Sequence, residues 1–261
     1  MIKSDLHTHI CKTNLPDMIE GGKKAGLDWL GISEHSYQFF EGRDGFTSGY
    51  VEGRIYSFGE YEKLLSQAET YKNSKMQLLK GVEIDFLEDD YTWRFFDVIK
   101  NKQLDYIIGS LHDFDGYDIH EKLSLSPSET EYRWKRYISL QIEGLRTYPI
   151  DILAHPVRMT ISLPFIKDEL LLDLLASLVK EAKAHDIVIE INKKDSGFSE
   201  KAVGFLIDAC AVFDVPVTFG SDAHNPLAVG IGFEEIRSML LKRGIDRYCI
   251  FSNRERRVVN L

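Results

Sequence analysis

The chain begins Met1-Ile2-Lys3-Ser4-Asp5-Leu6-His7-Thr8-His9-Ile10, a short apolar-alternating strand that runs straight into His-x-His. In extended backbone, residues i and i+2 point the same way. His7 and His9 can therefore present both imidazoles to one point. Zinc takes neutral imidazole nitrogens at about 2.0–2.1 Å. Two histidines near a terminus are also common without a metal, so the pair gains meaning only from what the rest of the chain places beside it.

Outward from this stretch, short runs rich in Ile, Val, Leu and Phe alternate with longer segments of helical period. The runs Ile2–Leu6, Asp28–Ser33, Gln77–Val82, Leu104–Ser110, Ile150–Ala154, Ile187–Ile191 and Val215–Gly220 read as strands. Most lack polar/apolar alternation, as expected of strands covered on both faces. Helical patterns lie at Leu15–Ala25, Phe58–Lys72, Trp93–Lys100, Pro127–Tyr148, Lys167–His185, Ser199–Phe213 and Phe233–Arg243. Ser126-Pro127-Ser128-Glu129 is a helix start, and Gly26, Pro149 and Gly244 fall where helices should stop. Such alternation predicts a parallel sheet, either open and doubly wound or closed into a barrel. No Gly-x-Gly-x-x-Gly follows the first strand, so a dinucleotide fold lacks its main support. With no Pro/Gly/Ser-rich linker and no internal repeat, residues 1–261 read as a single domain. Tyr37–Phe58 is the longest loop, rich in Gly and aromatics (Tyr37, Phe39, Phe40, Phe46, Tyr50, Tyr56), and reads as a substrate wall, a lid or a packed insertion.

Eight histidines occur in the chain. His7 and His9, His35, His112, His155 and His224 each stand at or just past the C-terminal end of an expected strand. In a parallel barrel those ends converge on one face, where the βα loops build active sites. His120, in a loop, and His185, at a helix end, do not fit and read as structural or exposed. Glu83 ends the third strand, and Asp222 precedes His224 by two residues. Asp5 and Glu34 directly precede histidines and read as partners that orient imidazoles. Six His, one Glu and one Asp exceed the needs of one tetrahedral ion. They suit two or three divalent ions, the arrangement used in metal-assisted hydrolysis. A closed structural zinc site would need fewer ligands and favour cysteine.

Composition narrows the partners. Hydrophobic residues make up 44% and charged residues 28%, the balance of a soluble globular chain. The net charge of −9 and pI near 5.4 argue against an extended nucleic-acid surface. No apolar run approaches the roughly 18 residues of a membrane span, and the N-terminus reads as a strand rather than a secretory signal. Cys11, Cys210 and Cys249 are few, odd in number and far apart, which suits a reducing cytoplasm. Arg254, Arg256 and Arg257 read as a solvated terminus.

Asp5-Leu-His-Thr-His9, Ile32-Ser-Glu-His35, Gly81-Val-Glu-Ile-Asp85, Leu104-Asp-Tyr-Ile-Ile-Gly-Ser-Leu-His112, Ala154-His-Pro156 and Gly220-Ser-Asp-Ala-His224 occur in that order. Together they resemble the PHP (polymerase and histidinol phosphatase) family over essentially the full chain. The blocks around Glu83 and His112 look most like its histidinol-phosphate phosphatase branch. The resemblance implies a distorted, TIM-like (β/α)7 barrel with a trinuclear centre of zinc, manganese or iron. Carried over, His7, His9, Glu83 and Asp222 hold the first ion. Glu83, His112 and His155 hold the second, with Glu83 bridging, and His35 and His224 belong to the third. The family usually adds a third-site His or Asp about six residues past His-x-His. Here position 15 is leucine, with Cys11 and Asp17 the nearest substitutes. Without a third ion, His35 and His224 are freed for acid–base work.

The expected reaction is hydrolysis of a small phosphate monoester, with L-histidinol phosphate the first candidate. Metal-activated water attacks, and metals and cations neutralise the phosphoryl oxygens. Asp222, His224 or His35 serves proton transfer to the leaving group. Arg158, three residues past His155, and Lys193 or Lys194 are the expected phosphate-binding cations. Histidinol phosphatases usually carry an arginine a few residues after the Glu-x-Asn stretch, where this chain reads Ser196-Gly-Phe198. The competing readings are a PHP-type nuclease or phosphatase with another substrate and, from a different class, a non-catalytic metal-binding regulatory domain.

Overall fold

The apolar runs become strands because helices cover one face and the barrel interior the other. A computed structural model of the protein describes residues 1–45, 53–67, 75–86, 90–164 and 166–261. Strands β1 (Ser4–Asp5), β2 (Trp29–His35), β3 (Gln77–Asp85) and β4 (Tyr106–Ser110) come first. A small ribbon of β5 (Asp113–Phe114) and β6 (Tyr117–Asp118) follows, then β7 (Ile152–Leu153), β8 (Val188–Asn192) and β9 (Val217–Gly220). Seven of these form one parallel sheet in the order β1-β2-β3-β4-β7-β8-β9. The sheet closes on itself. Leu6 N–H donates to Phe219 O (3.1 Å), His9 N–H donates to Ala223 O (2.8 Å), and Thr8 bridges Ala223 in parallel. The result is the expected (β/α)7 barrel rather than an open sheet.

The helices are α1 (Leu15–Lys24), α2 (Phe58–Gln67), α3 (Tyr91–Ile99), α4 (Pro127–Thr147), α5 (Asp168–Ala184), α6 (Lys193–Phe198), α7 (Glu200–Phe213) and α8 (Phe233–Leu241). Ser126 and Glu129 form a reciprocal capping box at the start of α4, with Pro127 in the first turn. The expected helix over Phe58–Lys72 is seen to Gln67, and its remainder lies outside the described residues. The six-residue α6 was not anticipated, being too short to show a period.

The barrel interior has its own core of Leu6, Leu79, Tyr106, Ile108, Ile152, Ala154, Val188, Cys249 and Phe251. Tyr106 fills the middle. Its hydroxyl donates to Leu6 O (2.6 Å), and only glycine fits beside it: a Cβ on Gly31 would lie 2.0 Å from the Tyr106 oxygen. Cys249 and Phe251 come from the C-terminal hairpin of β10 (Arg247–Ser252) and β11 (Glu255–Asn260), which closes the mouth at the strand starts. Thr218 Oγ1 donates to Cys249 O (2.8 Å), and Arg254 N–H to Asp105 O (2.9 Å). Arg254 pairs with Asp151 (2.5 Å) and Arg256 with Asp186 (2.7 Å). The basic tail is therefore not a loose solvated end. Arg254 and Arg256 tie the hairpin to the residues that open β4, β7 and β8, while Arg257 is exposed.

The described parts of the Tyr37–Phe58 loop pack as an insertion. Phe39 is buried against Phe58, Tyr61 and Phe95, and Phe39 bridges Tyr56. Phe46 and Tyr50 lie outside the described residues.

Candidate metal centre

Parallel strands of one barrel all end at the same mouth, so the histidines at their ends meet. Strand register sets His35 beside Glu83. Five imidazoles converge on the Glu83 carboxylate: Oε2 is 3.0 Å from His7 Nε2, 3.5 Å from His9 Nε2 and 2.7 Å from His35 Nδ1. Oε1 is 3.1 Å from His155 Nε2 and 3.6 Å from His112 Nε2. Asp222 Oδ1 stands 3.3 Å from His9 Nε2 and 3.5 Å from His224 Nδ1. All eight expected ligands are thus brought together. Every one is buried except His224, whose side chain is 25% exposed.

The donors fall into four overlapping groups, each with its ligand atoms within 4.8 Å of one another: His9–His35–His224, His7–His9–Asp222, His7–Glu83–His155 and His35–Glu83–His112. His112 and His155, expected to share an ion with Glu83, both approach its Oε1, at 3.6 and 3.1 Å. Buried His7 Nε2, both ring nitrogens of His9, His35 Nδ1, Glu83 Oε2, His155 Nδ1 and Asp222 Oδ1 lack hydrogen-bond partners. Buried polar atoms are normally satisfied. Nitrogen and carboxylate donors that converge with this many atoms left unpartnered fit divalent cations. Neither Asp17, exposed beside Asn14 at the start of α1, nor Cys11, whose buried thiol lies against Glu34, belongs to any of these groups.

Charge states agree with that fit at Glu83, Asp222, His9, His155 and His224; at His7 and His112 burial is overcome by neighbouring carboxylates, Glu190 and Glu83 holding His7 well above the usual imidazole range and Asp85 and Glu83 raising His112 to about 9. Burial would raise Glu83, but His35, His7 and His112 overcome it and hold the carboxyl well below its usual range. Burial likewise opposes ionisation of Asp222, and Lys194 and Arg158 overcome it. Burial, helped by His35 and His224, keeps His9 well below the usual imidazole range, and burial with Arg158 does the same for His155. Burial also pushes His224 down to about 4. Anionic carboxylates and neutral imidazoles are the forms that ligate metals.

Carboxylates brace the cluster from behind. Glu190 Oε1 meets His7 Nδ1 at 2.7 Å, and Glu190 Oε2 accepts the His155 backbone N–H (2.8 Å) and Asn192 Nδ2 (3.1 Å). Asp85 Oδ1 meets His112 Nδ1 at 2.7 Å. Such contacts fix ring orientation and basicity. Asp5 and Glu34, expected in that role, support backbone instead. Asp5 accepts the N–H groups of His7, Ser221 and Gly230, and Glu34 accepts those of Ile10 and Cys11. The residues that do reach the rings, Asp85 and Glu190, face the barrel interior, as Glu83 does; strand parity was the available signal. His155 (φ 30°) and Asp222 (φ 51°) adopt the left-handed region that non-glycine residues avoid, strain of the sort found at functional sites.

A cleft of about 310 Å³ opens over the cluster, lined by His35, His112, Asp222 and His224 together with Lys12, Tyr37, His120, Arg158, Ile161, Lys194 and Phe198. Arg158 is buried. Its Nε meets Asp195 (2.5 Å), its Nη1 meets Asp222 Oδ2 (2.7 Å), and its Nη2 has no hydrogen-bond partner. Lys194 Nζ lies 2.9 Å from Asp222 Oδ2. Lys193 does not line the cleft. The turn of α6 swings it away to pair with Glu235 (2.5 Å), so Lys194 stands where either lysine was expected. His120 is half-buried and bonded to Asp118 (3.0 Å), in keeping with a structural role, and its ring also faces His112 on the cleft wall. His185 is exposed at the end of α5 and pairs with Glu181, as expected.

A PHP domain family model matches residues 3–194, more than half of the chain. A protein named probable phosphatase from Clostridium acetobutylicum is 25% identical over 98% of this chain and 92% of its own length. A probable histidinol-phosphatase of the same organism is 24% identical over 90% of this chain and 91% of its own. The fold is similar to that of histidinol phosphate phosphatase from Lactococcus lactis, crystallised with zinc, L-histidinol and phosphate. That TM-score is 0.82 at 16% identity, covering 98% of both chains.

Proposed function

The chain belongs to the PHP domain family, and from that premise and the buried donor cluster we propose that residues 1–261 form one metal-dependent phosphoric monoester hydrolase domain. L-histidinol phosphate is the first candidate substrate and two to three divalent ions (zinc, manganese or iron) the cofactor. The observation that carries this reading is the set of unpartnered buried nitrogens and oxygens around Glu83, open to a cleft with an unpartnered arginine nitrogen. His7, His9, His35, Glu83, His112, His155, Asp222 and His224 would hold the ions. When bound, such ions activate water and neutralise phosphoryl charge.

Around them the chain's own residues do the positioning. Arg158 is held in place by Asp195 and Asp222, which leaves Nη2 for a phosphate oxygen. Lys194 supplies the second cation. Both act by orienting and stabilising charge, the main demand of phosphoryl transfer. Asp222, His224 and His35 line the cleft and are the groups within reach of the leaving alkoxide. Tyr37, Ile161 and Phe198 give the outer cleft an apolar wall for the rest of a small substrate. Among the described residues no helix is long and apolar enough to cross a membrane. All three cysteines are free and buried, in keeping with a cytoplasmic setting.

Phe198 stands near where histidinol phosphatases carry arginine, and this favours a second reading in which another small monoester is the substrate. Phosphate release from L-histidinol phosphate, measured beside sugar and nucleotide phosphates with Mn, Fe or Zn restored, separates the two. The expected result is a kcat/KM for L-histidinol phosphate well above the others. Absence of turnover on every monoester at full metal occupancy defeats the hydrolase assignment.

A further inference from the structure

The four donor groups are not equivalent. Three contain a carboxylate oxygen, from Asp222 or Glu83, whereas His9–His35–His224 is imidazole alone. The two rings braced by carboxylates, His7 by Glu190 and His112 by Asp85, belong to the other groups. Two rings of the all-imidazole group are also shared: His9 serves the group with Asp222, and His35 the group with Glu83. Asp222 Oδ1 is close to His9 and His224, but its Oδ2 is already matched by Arg158 and Lys194. The third ring, His224, is the exposed member and faces a cleft lined by Lys12, Arg158 and Lys194. A divalent ion in this group meets three imidazoles; the carboxylate oxygens nearest to them (Glu83 Oε2, 2.7 Å from His35 Nδ1, and Asp222 Oδ1, 3.3 Å from His9 Nε2) are shared with the neighbouring groups, and the cleft side carries Lys12, Arg158 and Lys194. A phosphate dianion in the same cleft reverses that balance, attracted by the cations on one side and the ion on the other.

We propose that the His9–His35–His224 group takes up its divalent ion together with phosphate, so that the two bind cooperatively, while the carboxylate-bearing groups hold their ions without it. This rests on the reading of the cluster as a metal centre that binds phosphate. By linkage, phosphate tightens the last ion by the factor with which that ion tightens phosphate. The consequence is a centre completed when the phosphate group arrives.

Equilibrium dialysis of the full chain against manganese, with and without inorganic phosphate and followed by elemental analysis, tests this. Phosphate is expected to raise the retained manganese by one ion per chain and to tighten that last ion at least about fivefold, the lower end of common coupling strengths. In His224→Ala and His224→Gln, the phosphate-dependent ion should vanish while the others stay. Equal retention in both buffers overturns the proposal, as does a phosphate-dependent ion that survives in both variants. A chain that retains no manganese in either buffer defeats the metal-centre reading as well, which distinguishes the two failures.

Discussion

The two mouths of the barrel are built from the same strands and are opposites. At the strand starts, β10 inserts Cys249 and Phe251 into the interior, and Arg254 and Arg256 fasten the hairpin to Asp151 and Asp186. At the strand ends, a carboxylate faces five imidazoles, and several buried polar atoms lack partners. One mouth is packed and braced by ion pairs; the other is rich in unsatisfied donors and open to a cleft. Parallel strands make this division possible, because every strand contributes its start to one mouth and its end to the other. Packing and ion pairs are concentrated at one mouth and unsatisfied donors at the other.

The sharpest way to break this contrast is Glu83→Gln. Loss of the shared carboxylate should lower kcat/KM by about 10²–10⁴-fold, the range for removing a preorganised catalytic group. Near-UV circular dichroism should stay native-like. Retention of activity within tenfold would remove Glu83 from the centre. The lower mouth should answer in the opposite way. Phe251→Ala is expected to cost about 3–5 kcal/mol in urea unfolding, with the specific activity of the folded fraction at 25 °C unchanged. If activity falls in proportion to stability, the two mouths are not separable.

Gly220→Ala probes the join between them. A Cβ there would lie 1.7 Å from Glu190 Oε1 and 2.6 Å from His7 Cβ, so Glu190 must leave its place behind His7. Metal affinity should fall about 10–100-fold, as for lost imidazole partners elsewhere; calorimetric titration with zinc measures it. The smallest contrast is between neighbours. Lys194→Ala should raise KM by roughly fivefold to tenfold with kcat little changed, as expected for one partly exposed charge-assisted contact. Lys193→Ala should leave both constants within about twofold, because its partner Glu235 lies on the surface.

Much of the upper mouth was legible in the sequence. Strands covered on both faces write themselves as continuous apolar runs, and histidines placed at their ends mark a common face. What escaped notice had no period to show it. α6 is six residues long, too short to tell which of Lys193 and Lys194 faces the cleft. β11 is almost wholly exposed, so its Glu255-Arg256-Arg257 reads as a solvated tail although it pairs with the buried Tyr248–Phe251 of β10. His120 reaches the cleft only because the β5–β6 ribbon folds back beside His112, a tertiary fact with no local signature.

The seam that closes the barrel pairs Leu6 with Phe219 and Thr8 with Ala223, so the stretch bearing His7 and His9 waits for a strand more than two hundred residues later. Contacts of such sequence separation form late, and synthesis proceeds from the N-terminus. On the ribosome, then, the first two histidines emerge long before the partners that surround them. Only a chain extended past His224 can assemble the complete ligand set.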